Sequence, residues 1–231
     1  MQTQGFYVTG TDTGIGKTTI STAFLHALRA GGQHAVGMKP VASGSTSTPQ
    51  GWHNEDALAL LEASDPRPEY RDLNPYALPL PLAPELAARA AGVDIALDVL
   101  LAAHARLQAL CPRVVVEGVG GWAAPLSASL EQADLVRALD LPVVLVVGLR
   151  LGCLNHAILS AREIVADRCR LVGWVGNAID PAMDCREEQR AMLQARIDAP
   201  CLGWLPHAPA ADAAALSRYL TLPPGTVHVR A

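Results

Sequence analysis

A chain of 231 residues, half of them hydrophobic, is long enough to bury a substantial core and predicts a single domain over residues 1–231. Its net charge of -4 and the lack of any basic run argue against a nucleic-acid partner. Five scattered cysteines, with no C-x-x-C spacing, signal neither a zinc site nor a disulfide framework. The longest apolar run, Leu141–Leu149, is too short to cross a bilayer, and the N-terminus leads straight into an apolar run with no room for a signal peptide; the expectation is a cytoplasmic protein with no membrane partner.

The first apolar run, Phe6-Tyr7-Val8, reads as a strand. It is followed by Gly10-Thr11-Asp12-Thr13-Gly14-Ile15-Gly16-Lys17-Thr18-Thr19 and then by a helical stretch, Ile20–Ala30. Strand, glycine-rich loop and helix together form a phosphate cradle: backbone N–H groups and the helix N-terminus wrap the anion, Lys17 reaches the β- and γ-phosphates, and the Thr18 hydroxyl faces Mg²⁺. The spacing is a variant, because G-x-x-x-x-G-K-[ST] would put its first glycine at Thr11, whereas here it is Gly10.

His34–Val41 reads as a second strand ending near Lys39-Pro40, followed by a polar loop over Ser43–Gly51. Asp56–Ala63 has helical spacing, Ser64–Pro84 is proline-rich and irregular, and Pro84 starts a helix that Glu85–Ala91 continues. Asp94–Leu110 reads as a long helix with Asp94 as its N-cap. Val114-Val115-Val116 is a short buried strand running into Glu117-Gly118-Val119-Gly120-Gly121. Then come a helix over Ala133–Leu139, a strand over Pro142–Gly148, a helix over Asn155–Ala166, a strand over Leu171–Asn177, a helix over Asp184–Ile197 and a last strand, Leu202–Leu205.

Strands that alternate with helices and are apolar throughout imply an α/β fold: a doubly wound, mostly parallel sheet with helices on both faces, of P-loop NTPase type. Ligands in such sheets sit beyond the carboxyl ends of the strands. Those ends carry Lys39, Glu117, Gly148–Gly152, Asn177 and Pro206. Thr18, Asp56 and Glu117 offer the hard oxygen ligands that Mg²⁺ takes. Lys39 can stabilise charge on an acyl or phosphoryl group. Asn177-Ala178-Ile179-Asp180 echoes the N-K-x-D of GTPases without its lysine, which favours adenine over guanine. The seven histidines show no metal spacing, and Cys153 reads as a small buried residue.

Several stretches, taken together and in order, resemble the dethiobiotin synthetases. They are Val8–Thr13 with Gly16-Lys17-Thr18, Lys39–Gly44, Asn54–Leu58, Asn74-Pro75-Tyr76, Val116–Trp122 and Leu151–Ala157. The resemblance implies an ATP-dependent cyclo-ligase that joins CO₂ to 7,8-diaminopelargonic acid and closes the ring to dethiobiotin. It passes through a carbamate and a carbamic-phosphoric mixed anhydride, with Mg²⁺, and releases ADP and phosphate. Lys39 and Lys17 are then the catalytic residues. ATP is held by Gly14, Ile15, Gly16, Lys17, Thr18, Thr19, Asp56, Glu117, Gly118, Val119, Gly120, Asn177, Ala178, Leu205, Pro206 and His207. The substrate meets Thr13 and Ser43, and in a homodimer its carboxylate meets Gly152, Cys153 and Asn155 of the other subunit.

The chain departs from the family at Gly14, where an acidic residue is common, and at Glu85, where a histidine is common. Two other readings share parts of the pattern. Partitioning and septum-site ATPases carry a second lysine where Asp12 stands, and cobyrinate-type ligases add a glutaminase domain for which 231 residues leave no room.

Overall fold

The computed structural model describes residues 5–208 and 212–225. In chain order the elements are β1 (Phe6–Gly10), α1 (Lys17–Ala30), β2 (Val36–Met38), β3 (Val41–Ser43), β4 (Thr46–Thr48), β5 (Gly51–His53), α2 (Glu55–Ala63), α3 (Tyr70–Leu73), β6 (Tyr76–Leu78), α4 (Pro84–Ala90) and α5 (Leu97–Leu110). The second half comprises β7 (Val114–Glu117), β8 (Pro125–Ser127), β9 (Leu130–Glu131), α6 (Gln132–Leu139), β10 (Val143–Leu149), α7 (Cys153–Ala166), β11 (Leu171–Ala178), α8 (Arg186–Gln194), β12 (Cys201–Leu205) and α9 (Ala213–Leu216).

Six strands form one parallel sheet in the order β12-β11-β10-β1-β7-β2. Alternate residues of each strand enter opposite layers, as a pleat of period two requires. On β1, Phe6 and Val8 pack into one core with α1 and α2, while Tyr7 enters the other core. On β10, Val144 and Val146 join the first layer, and Val143, Leu145 and Val147 face the α5, α6 and α7 side. Both faces are covered, so every residue of β1, β7 and β10 is buried. The chain steps from β1 past β7 to β2, returns to β7, and then builds outward through β10. This reversal of strand order opens a crevice at the carboxyl ends of β1 and β7.

The expected order of major elements holds, with local corrections. The second strand does not run over His34–Val41. It is limited to β2 because Pro40 has no N–H to donate, and the Lys39 N–H turns to Leu73 O at 2.8 Å. Val41–Ser43 pairs with β6 in a separate ribbon, so the proline-rich stretch 64–84 is not irregular throughout but contains α3 and β6. The polar loop after Ser43 folds as the antiparallel hairpin β4–β5. Asp94 is not a helix cap. Ile95 is buried, the Ala96 N–H donates to Tyr76 Oη at 3.1 Å, and α5 starts two residues later than a cap at Asp94 would allow. The helix expected over Asp184–Ile197 is shorter, Arg186–Gln194.

Candidate active site

The phosphate loop starts where β1 ends. The Thr11 N–H continues the ladder to Val146 O at 3.0 Å, and the chain then turns out and back into α1. Gly16 caps α1 with φ +86°, and a Cβ there would collide with the Asn177 amide, so only glycine suits the position on both counts. Lys17 is the first residue of α1 and is 7% exposed. Its Nζ donates to Asp12 O at 2.7 Å. Burial, reinforced by the charge of Lys39, pulls the Lys17 ammonium down to about 8, against the opposing pull of Glu117, Asp56 and Asp12. The Asp12 carboxylate accepts from Thr13 N at 2.7 Å and pairs with the Arg150 guanidinium.

Opposite the loop, β7 delivers Glu117, which is fully buried. Its Oε1 accepts from Thr18 Oγ1 at 2.9 Å and from Lys39 Nζ at 2.6 Å. Lys39 Nζ also donates to Asp56 Oδ2 at 2.9 Å and to Gly118 O at 3.3 Å. Lys39 is fixed at its backbone too, since Asn74 Nδ2 donates to its carbonyl at 2.7 Å. Burial opposes the charge on Lys39, but Glu117 and Asp56 outweigh it and hold the ammonium above its usual range. Asp56 stands in the first turn of α2, where the Asn54 side chain caps the helix and accepts the Asp56 N–H at 3.0 Å. Burial raises the Asp56 carboxyl, yet Lys39 beside it brings the net shift below the usual range.

The second oxygen of Glu117, Oε2, is buried with no hydrogen-bond partner. An orphaned carboxylate oxygen beside a threonine hydroxyl and a second carboxylate fits a hard cation, which takes oxygen donors and keeps several waters. Among the described residues no group of three or more His, Cys, Asp and Glu is placed to hold a metal. The oxygen donors that a hard cation would find here are Thr18 Oγ1, Glu117 and Asp56.

These groups share one cleft of ≈ 870 Å³. Thr13, Gly14, Gly16, Thr19, Val119 and Gly120 also line it, as does Ser43, whose Oγ is buried without a partner. Asn177 sits beside the loop and donates from Nδ2 to Ile15 O at 2.8 Å, while His207 Nδ1 lies 3.0 Å from Ala178 O. This puts the ends of β11 and β12, with Leu205 and Pro206, on the Ile15–Gly16 side of the cradle. Gly152, Cys153 and Asn155 do not line the cleft; Cys153 is buried with its Sγ 3.3 Å from Gln189 Oε1. Sequence reasoning missed Arg150, which grips Asp12, and Gln132, which holds the loop after Glu117. The only local sign of Gln132 is its place in the Glu131–Asp134 capping pattern.

A family model described as an AAA domain matches residues 4–215. The ATP-dependent dethiobiotin synthetase BioD of Xanthomonas euvesicatoria pv. vesicatoria (strain 85-10) is 65% identical over 223 residues, covering 96% of this chain and 100% of the relative. The chain belongs to the dethiobiotin synthetase family. Its namesake from Xylella fastidiosa (strain 9a5c) is 61% identical over 209 residues, 90% of this chain and 92% of the relative. Among solved structures, the MinC:MinD cell division protein complex of Aquifex aeolicus matches with TM-score 0.53 and 15% identity, covering 88% of this chain and 81% of that one. A ParA family ATPase from Chlorobium tepidum TLS matches with TM-score 0.53 and 13% identity, covering 89% and 86%. These two likenesses show the α/β P-loop fold alone.

Proposed function

We propose that this protein forms dethiobiotin from 7,8-diaminopelargonic acid, CO₂ and ATP. The observation that carries the reading is that Thr18 of the phosphate loop and Lys39 of a separate strand end meet on one buried carboxylate, Glu117. A phosphate cradle alone would serve any ATPase, whereas a second buried lysine beside it serves an anionic acceptor. One amine of the substrate adds to CO₂ and loses a proton, giving a carbamate. A carbamate oxygen attacks the γ-phosphorus, the bond to the bridging oxygen breaks, and ADP leaves. The second amine attacks the carbonyl carbon of this mixed anhydride, its C–O bond to phosphate breaks, the amine proton departs, and the ring closes.

Such chemistry needs positioning and charge neutralisation more than covalent help. Lys17 binds the γ-phosphate after leaving Asp12 O, Lys39 neutralises the carbamate, and Thr13 and Ser43 orient the acceptor. Mg²⁺ held by Thr18, Asp56 and Glu117 would neutralise phosphate charge when bound. Asn177, Ala178 and the Leu205–His207 segment are the base site for adenine. Wild-type protein is expected to fix labelled CO₂ only when diaminopelargonic acid, ATP and Mg²⁺ are all present. Glu117→Gln should raise the Mg²⁺ concentration needed for half-maximal rate. Hydrolysis of ATP that ignores the diamine, with no labelled product, would sink the reading.

We also infer a homodimer with the substrate near its interface. Leu151 is 93% exposed and Leu159 55% exposed, and Leu159 lines an open groove with Trp122 and Ala123. Gly152, Cys153 and Asn155, which do not line their own cleft, would receive the substrate carboxylate from the partner at the start of α7. Lys39→Ala and Gly152→Leu homodimers should each be impaired. Mixing them with subunit exchange should restore up to about half of wild-type activity per mixed dimer, because one composite site is then intact. Proven heterodimers without recovery would confine the site to one subunit. Free cysteines, and the lack among the described residues of a helix long and apolar enough to cross a membrane, support a place in the cytoplasm.

A further inference from the structure

The loop after β7 carries Glu117 into the cleft and presents Val119, Gly120 and Gly121 as one of its walls. A segment with three glycines in four residues has little shape of its own. Gln132, with 0% exposure, supplies the shape. It is the first residue of α6, set there by a capping box in which the Glu131 N–H donates to Asp134 Oδ2 at 2.9 Å. Gln132 Oε1 accepts from Tyr7 Oη at 2.8 Å and from Val119 N at 3.0 Å. Its Nε2 donates to Gly121 O at 2.6 Å and to Trp122 O at 3.1 Å. All four bonding positions of the carboxamide are used, and this pattern is met by only one orientation of the amide.

The loop is packed on both sides. A Cβ at Gly118 would strike Gln132 Oε1 and lie 2.6 Å from Tyr7 Oη, so the glycine there makes room for this pair. The Trp122 ring stands edge-on to Tyr7, with centroids 6.4 Å apart. On the other side, a Cβ at Gly121 would lie 3.6 Å from Gly10 O and 3.7 Å from Thr11 O, so the loop runs against the first residues of the phosphate loop.

We propose that Gln132 is a positioning residue for the reaction, one that sets the gap between the 118–122 loop and the phosphate loop and thereby the place of the acceptor against Lys39 and the γ-phosphate. This inference rests on the dethiobiotin-forming reading. Gln132 acts through the backbone of Val119, Gly121 and Trp122.

The test is steady-state kinetics, calorimetric ADP binding and thermal unfolding on the full chain carrying Gln132→Met, Gln132→Glu or Tyr7→Phe. Gln132→Met keeps the length and removes every polar bond. Its kcat should fall about tenfold or more, given that a 1 Å misplacement can cost about 10²-fold. ADP affinity should fall by clearly less than kcat, because the Gly14–Thr19 cradle for its phosphates makes no bond to Gln132. Gln132→Glu keeps the shape. As a neutral acid it can still donate one bond, but once ionised it donates none and repels Glu117. Its kcat relative to wild type should therefore rise as pH falls. Tyr7→Phe leaves the three backbone bonds and should turn over near the wild-type rate.

A Gln132→Met variant with wild-type kcat, at a temperature where its unfolding curve shows it folded, would remove Gln132 from this role while leaving the functional reading intact. Equal losses of kcat and ADP affinity would also overturn it, since they mark general loosening of the fold. Should Gln132→Met be unfolded, the pH profile of Gln132→Glu decides: a constant ratio to wild type overturns the proposal. A wild-type chain that forms no dethiobiotin would overturn the functional reading and this inference together.

Discussion

Lys39→Met should abolish most turnover and lower the melting temperature at the same time. Lys39 is 3% exposed, and its ammonium is the hydrogen-bonded cation of both Glu117 and Asp56. Losing one such charge-stabilising donor lowers kcat by about 10²–10³-fold. Stability falls because Glu117 is left as an uncompensated buried carboxylate, a loss of about 3–5 kcal/mol. At roughly 2–4 °C per kcal/mol for a chain of this size, the melting temperature should drop by roughly 6–20 °C. Asp56 adds less, since its side chain is 46% exposed and its pairing is screened by water.

The pH dependence of that difference follows from the two shifts. Lys39 is held above its usual 10.5, so its contribution is whole below that pH and is lost as pH rises through the folded value. Asp56 is held below its usual 3.8, so its contribution is whole above that pH and is lost as pH falls through the folded value. The gap in melting temperature between wild type and Lys39→Met should be widest between these limits. Equal melting temperatures and equal turnover would remove Lys39 from both roles.

Lys17→Met should share the catalytic loss and reverse the effect on stability. Removing the lysine from the transferring phosphoryl group is expected to lower kcat by about 10²–10³-fold, or about 2.7–4 kcal/mol of transition-state stabilisation. In the unliganded fold, however, Lys17 is buried against a backbone carbonyl and its ammonium is depressed from 10.5 to about 8. Keeping it charged near pH 7 then costs about 3 kcal/mol. For a base whose folded value is lowered, this penalty is full below about pH 8 and vanishes above 10.5. The unliganded variant should therefore melt at or above the wild-type temperature, with the advantage shrinking as pH rises through that window. ATP, whose phosphates give the ammonium a counter-charge, should stabilise wild type more than the variant. A Lys17→Met protein that melts well below wild type would contradict the stored penalty, and near wild-type kcat would remove Lys17 from phosphoryl transfer.

The two lysines lie in one cleft, yet they differ because their neighbours differ. Lys39 has two carboxylates within hydrogen-bond reach, whereas Lys17 has a carbonyl and the repulsion of Lys39. Nothing in Lys39-Pro40 or Gly16-Lys17-Thr18 read alone distinguishes them in this way.

What the amino-acid sequence determined by itself is what depends on near neighbours along the chain. The phosphate loop is a contiguous run between a strand and a helix, so its glycines, Lys17 and Thr18 could be read directly. The alternation of apolar strands with helices, and with it the parallel sheet, is a periodic signal of the same local kind. Lys39 and Glu117 were legible because strand ends are the functional edge of such a sheet.

What only the tertiary structure decided is who meets whom across the sheet. Residues 39 and 117 meet because β2 lies beside β7, and Thr18 reaches Glu117 because β7 lies beside β1. Glu117 Oε2 is left without a partner, and burial and different charged neighbours send the pKa values of the two lysines in opposite directions. Tyr7 and Gln132, 125 positions apart, form a bond that no periodicity announces. The break at Pro40 and the start of α5 at Leu97 were settled in the same way, by hydrogen bonds to Leu73 O and Tyr76 Oη. Local rules act over a few residues, whereas these contacts form only once the sheet has brought distant segments together.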